Sequence, residues 1–250
     1  MLRRHFTRAG CAIVVLLFSA AMSAGARAAF VPGEFISYGQ DNWGTLADPA
    51  SQLLQNYFFV VHATTGGAEI GIPGAAGNSV FFSSPEAALD YLPTSGMAAA
   101  LDADLIDPMS TSSGIFGGHL LALSFDVDFS DAGYLNGTAL ELFGGLVLHD
   151  LAAPYAYFNG LSVREFRSAA NLILGGGALP VNVTFQDVSD LTGLLSLAFL
   201  NGTPTQFAQD HLTSPEPTAI PEPTAAAAAG LALVVMALVR RLDRRSRAAA

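Results

Sequence analysis

Two aspartate triplets share one spacing, Asp102-x-Asp104-x-x-Asp107 and Asp126-x-Asp128-x-x-Asp131. Carboxylate oxygens gathered in this way suit a hard cation such as calcium, the one cofactor the sequence suggests. Neither triplet is an EF-hand loop, because the turn glycine and the terminal glutamate are missing. If 126–128 is a strand, Asp126 and Asp128 project from one face, where calcium or plain solvent would offset their repulsion. A solvated acidic surface is the simpler of the two readings.

Four histidines, His62, His119, His149 and His211, lie outside the first 28 residues, far apart and without ligand spacing. They read as surface or core residues. There is no nucleophile elbow, phosphate-binding glycine loop or zinc-binding helix motif. Distant side chains can converge in a fold, but nothing singles out a catalytic set, and the expectation is a noncatalytic domain. A secreted hydrolase acting on glycan would need two paired carboxylates, and the sequence offers many without marking a pair. An ice- or carbohydrate-binding module is a further alternative, although flat Thr-x-Thr arrays are absent beyond Thr203-Pro204-Thr205.

The elements that would position these groups are short. Residues 57–63, 69–72 and 79–83 are rich in β-branched and aromatic residues, separated by Gly66-Gly67, Pro73-Gly74 and Gly77-Asn78, and read as strands with turns. Ser84, Pro85 and Glu86 supply an N-cap, an N1 proline and an acidic first turn for a helix to Leu92, stopped by Pro93. In 119–129, Leu121, Leu123, Phe125, Val127 and Phe129 alternate with small or acidic residues, a strand pattern. Ser162 with Glu165 is a capping-box pattern, and Thr184 with Asp187 resembles one. Val163, Phe166, Ala170 and Ile173 then share one helix face, with a stop at Gly175-Gly176-Gly177. Val188, Leu191, Leu195 and Phe199 share another, with a stop at Asn201-Gly202. The starts are 22 residues apart, the spacing of a weak helix-pair repeat, although such a pair most often packs against a sheet. The expected fold is α+β, with short strands in the N-terminal half and a helix pair in the C-terminal half.

Charge comes in blocks. The chain has no lysine, and of its 11 basic residues only Arg164 and Arg167 lie between positions 30 and 214, against 18 carboxylates. That segment carries a formal charge of −16, which repels phosphates and argues against nucleic acid. The lone cysteine, Cys11, sits in the apolar N-terminal segment, so the segment after it has no thiol chemistry. A domain of this size can bury enough apolar surface without disulfides.

Both ends read as targeting segments. Arg3, Arg4 and Arg8 precede an apolar run at 11–18 and small residues, with signal-peptidase cleavage fitting best after Ala26 or Ala28. Arg3-Arg4-His5-Phe6 also resembles a twin-arginine export motif, from which Thr7-Arg8 departs, so both export routes stay open. At the other end a proline-rich spacer at 214–224 leads into an apolar run at 225–239. Arg240, Arg241, Arg244, Arg245 and Arg247 close the chain. Fifteen residues rise about 22 Å as a helix, less than the roughly 30 Å hydrocarbon core, so this is a marginal anchor. The arginines would hold that end in the cytoplasm.

Pro221-Glu222-Pro223 directly before the apolar run, with the arginine cluster after it, resembles the PEP-CTERM sorting tail of exported Gram-negative proteins. Pro215-Glu216-Pro217 is a second copy upstream. The resemblance covers about the last 30 residues. It implies an exosortase as partner and an inner-membrane tether before processing. It further implies a final place at the cell surface or in an exopolysaccharide matrix. The segments 38–44, 81–93, 114–133 and 161–177 resemble a group of exported bacterial proteins, some helical at 114–133, which implies one domain and no particular activity. The expected layout is a signal peptide at 1–28 and an exposed acidic domain at 29–213. The spacer at 214–224, a transmembrane helix at 225–239 and a cytoplasmic tail at 240–250 follow.

Overall fold

The computed structural model describes residues 29–74, 76–135 and 137–215. The expected signal segment with Ala26 and Ala28, the motif Pro221-Glu222-Pro223, the span 225–239 and the arginine cluster 240–247 lie outside them. The described residues form a mixed α+β arrangement of helices and short strands.

The segment that alternates like a strand is the central helix, α4, Ile115–Asp131. Phe116, Leu120, Leu121, Leu123, Phe125, Val127 and Phe129 are all fully buried on it. A helix enclosed on every side shows no apolar stripe of period 3.6, which is why its sequence imitates a period of two. Over 17 residues the helix pairs its backbone N–H and C=O groups internally, so burial leaves few of them unsatisfied. Two glycines let neighbours approach its first turns. A Cβ on Gly117 would lie 2.2 Å from Tyr91 Oη, and one on Gly118 would lie 2.0 Å from Gln40 Oε1.

The strand expected at 57–63 is corrected too, because those residues end helix α2, Pro49–Val61. Asp48 caps it, accepting from Ala50 N at 3.0 Å, and Pro49 fills the first helical position. Ala50, Leu54 and Phe58 recur every four residues and are fully buried. Phe59 and Val60, which gave the strand signal, face outward at 61% and 60% exposure. Before α2, helix α1, Gln40–Gly44, sets Trp43 against Phe125 and Phe129 of α4, each at 5.3 Å.

Strands β1, Ala68–Gly71, and β2, Ser79–Phe82, fall at the expected places and pair antiparallel from Ala68↔Phe82 to Gly71↔Ser79. Strand β3, Leu105–Ile106, adds in parallel beside β2. Helix α3, Pro85–Tyr91, starts at its Ser84 cap and stops before Pro93.

The helix pair is present as α5, Val163–Leu174, and α6, Phe185–Ser196. Both capping boxes close: Ser162 N donates to Glu165 Oε2 and Thr184 N to Asp187 Oδ2, each at 2.8 Å. Both expected faces are buried. The pair rests on α4, with α5 also against β1. Helix α7, Gln206–His211, leads into β5, Leu212–Thr213, which pairs antiparallel with β4, Val147–Leu148. Phe30 N donates to Gln209 Oε1 at 3.0 Å and Gln209 Nε2 to Phe30 O at 2.7 Å, so the two ends of the described region meet. Among the described residues no helix is long and apolar enough to cross a membrane.

Candidate functional site

Helix α2 delivers His62 as its C-cap, with the backbone N–H donating to Phe58 O at 2.9 Å. The imidazole packs 4.9 Å from the Phe58 ring and is 7% exposed. Its Nε2 is enclosed with no protein hydrogen-bond partner. A charged imidazolium would be poorly solvated there, and burial holds the pKa below its ordinary value. Asp128 pulls it up and Arg167 pushes it down, both more weakly than burial.

His62 lines a cavity of about 530 Å3 bounded by the end of α2, β1, α4 and α5. From α4 come Ser124 and Asp128, from α5 Arg167 and Leu172, and from β1 Glu69. Arg167 Nη1 donates to Asp128 Oδ1 at 2.5 Å. One turn away on each helix, Arg164 grips Asp131, with Nη2 to Oδ1 at 2.8 Å, and that hydrogen bond raises the arginine's pKa. The only two arginines between positions 30 and 214 therefore form two rungs between α4 and α5. Half-exposed pairs of this kind contribute about 0.2–1 kcal/mol each, so their main effect is to fix register. Glu69 accepts from Ser79 Oγ at 2.7 Å. Asn171 ties the wall together, accepting from Gly71 N at 2.7 Å and donating to Arg167 O at 2.9 Å.

The two aspartate triplets have different fates. On a helix, positions two apart project about 200° from each other, so Asp126 and Asp128 do not share a face as a strand would have placed them. Asp128 and Asp131 take the arginines, whereas Asp126 turns into the core and is fully buried. Its Oδ1 accepts from Tyr38 N at 2.8 Å and from Trp43 Nε1 at 3.2 Å. Burial pushes its pKa well above the ordinary carboxyl value, against the pull of those two hydrogen bonds.

A carboxyl whose folded pKa is raised contributes stability that is complete below the unfolded value of about 3.9 and is lost as pH rises through the folded value. Asp126→Asn keeps an acceptor for Tyr38 and Trp43 and removes the titration. The stability of wild type relative to this variant is expected to fall as pH rises from about 4 toward neutrality. The lowered pKa values of His62 and His119 act oppositely, but both residues are present in both proteins and cancel in the difference. Urea midpoints across that range are the measurement; a difference independent of pH would place the carboxylate in solvent.

In the other triplet, Asp104 Oδ1 accepts from Ser79 N at 2.8 Å, Asp107 accepts from Ser83 N at 2.7 Å and Ser83 Oγ at 2.6 Å, and Asp102 is exposed. Among the described residues no three His, Cys, Asp or Glu side chains gather around a common metal position. Calcium on either triplet would have to compete with these partners or the arginines. Melting in millimolar calcium and in chelator decides the matter. A site filled at 100-fold excess over its dissociation constant adds about 2.7 kcal/mol, whereas coincident curves remove the calcium proposal.

Of the remaining histidines, His119 Nδ1 lies 3.0 Å from Ser189 O and joins α4 to α6, with burial lowering its pKa. His149 and His211 meet across β4 and β5, where His149 N donates to His211 O at 3.0 Å. The grouping of His62, Glu69, Asp128 and Arg167 is not marked in the sequence. A partial signal was there: the i, i+3 aspartates 128 and 131 match the i, i+3 arginines 164 and 167, which becomes informative once both segments are helices. The chain matches no protein-family profile, no curated protein and no solved structure.

Proposed function

We propose that the protein is an exported surface or matrix protein. In this reading it is tethered at the inner membrane by residues 225–239 and processed by an exosortase at Pro221-Glu222-Pro223. The observation that carries the reading is the order of motif, apolar run and arginine cluster in the last 30 residues or so. Signal peptidase would remove the leader after Ala26 or Ala28. The arginines from Arg240 to Arg247 would keep the far end of the span in the cytoplasm.

The core closes with β5 at Thr213, directly before the spacer. Four prolines among the eleven residues at 214–224 disfavour regular hydrogen-bonded structure, which suits a segment that an enzyme must reach. Ala29 and Ser214 line one cavity, so the leader and the tail would leave the domain on the same side. Noncatalytic retention in exopolysaccharide completes the reading, and the formal charge of −16 over residues 30–214 argues against nucleic acid as a partner. Loss of the tail in a host with its exosortase, and its retention when the motif is replaced, tests the proposal.

One observation favours a second reading, a secreted glycan hydrolase: Glu69 and Asp128 line the same cavity. Release of reducing ends from polysaccharides by the purified protein would establish it.

A further inference from the structure

We propose that the cavity between α2, β1, α4 and α5 binds a small neutral polyhydroxylated ligand, the size of a mono- or disaccharide. Its hydroxyl groups would be shared among Glu69, Asp128 and Arg167, with the His62 ring forming part of the wall. Equating that ligand with a unit of extracellular polysaccharide rests on the function proposed above; the chemistry of the cavity does not.

The volume of about 530 Å3 lies within the range of small-molecule sites, about 300–1,000 Å3. The hydrogen-bonding inventory points to hydroxyls. Arg167 uses Nη1 on Asp128, which leaves its other N–H groups as donors, while Asp128 and Glu69 each keep a second carboxylate oxygen as acceptor. Donors and acceptors side by side are matched by a group that both gives and takes a hydrogen bond, as a sugar hydroxyl does. Charge excludes the simplest alternatives. Two carboxylates against one guanidinium disfavour an anion, in a domain whose formal charge is already −16. A bare dication would need oxygens converging on one point, and no such cluster exists among the described residues.

Two further features suit a sugar ring. Leu172, 56% exposed, and Pro73 lie on the wall, an apolar surface for the C–H face of a pyranose. The polar groups are also fixed in advance: Glu69 by Ser79, Asp128 and Arg167 by each other, and the backbone around them by Asn171. Little ordering cost would then fall on binding.

The test uses the full chain in a zwitterionic detergent without a sugar headgroup. It is titrated separately with glucose, galactose, mannose, N-acetylglucosamine and cellobiose up to tens of millimolar, and with inorganic sulfate as the anionic control. The expected result is saturable calorimetric binding of at least one sugar, with a shift of the His62 imidazole resonances and none on adding sulfate. Binding should weaken at least tenfold in Glu69→Gln, whose exposed position leaves the core untouched, and in His62→Gln. Arg167→Lys, which keeps the charge but loses the fork of donors, should weaken it as well.

The proposal is overturned if no sugar binds, if sulfate binds in place of sugar, or if both Glu69→Gln and His62→Gln bind as tightly as wild type while folding normally. Cleavage of cellobiose would keep the ligand class and overturn the noncatalytic reading. Tail processing, scored separately in the exosortase host, keeps the two ideas apart. A chain that is processed but binds no sugar refutes only the cavity, and one that binds sugar but is never processed refutes only the sorting.

Discussion

Phe166→Ala is expected to lower the unfolding free energy by about 3–5 kcal/mol. The ring is fully buried and meets Phe158 edge-on, with centroids 5.0 Å apart and planes at 88°. Truncation removes both the transferred area and the aromatic contact, and the close-packed helices around it relax only partly into the space. Ser162→Ala, one turn away, removes the hydroxyl that accepts from Glu165 N at 3.2 Å and should cost only about 1 kcal/mol. Urea denaturation of both variants gives the comparison. Equal, small losses would mean that the face of α5 assigned to the core is turned toward solvent. A loss near 4 kcal/mol is a large part of the 5–15 kcal/mol that a domain has in total, so Phe166→Ala should also expose the chain to proteolysis.

The contrast between those two sites mirrors what could be read from residues alone. Ser84, Ser162 and Thr184 were legible as helix starts because a cap is a local event: side chain and accepted N–H lie within three residues of each other. The faces led by Phe166 and Leu195 were legible because each helix has one buried side. Phe199 kept its burial although α6 ends at Ser196.

Helices α2 and α4 were misread or left open for opposite reasons. In α2 Phe59 and Val60, beside the buried Phe58, sit on the outer face, where packing does not decide, and the decisive Asp48 cap lies nine residues before the expected strand. In α4 nearly every position is buried, so hydrophobicity carries no phase. What separates Asp126 from Asp128 is therefore tertiary. One meets the backbone of Tyr38 and the indole of Trp43, the other an arginine 39 residues away. The cavity escapes sequence reading by the same physics, since β1 supplies Glu69 and α5 supplies Arg167, nearly 100 residues later.

Processing of the tail is expected to be all or none. A tag placed between Ser214 and Pro215 leaves the pairing of Leu212 and Thr213 with β4 intact and stays on the domain side of both Pro-Glu-Pro copies. In a host with its exosortase the tagged product should lack the span and the arginine cluster. It should run shorter than the signal-cleaved precursor and leave the inner membrane. Replacing Pro221, Glu222 and Pro223 with alanines does not touch residues 225–239 or the arginines, so insertion and orientation are kept and uncut precursor should accumulate in that membrane. Pro215-Glu216-Pro217 lies six residues farther from the span and is the poorer site; the double replacement shows whether it serves as a backup. Deleting the exosortase gene should reproduce the block with the motif intact, which separates recognition from any folding defect the alanines introduce. If the wild-type chain stays full length beside an active exosortase, and the double replacement behaves identically, then the apolar run is only an anchor. The proposed sorting would then be refuted.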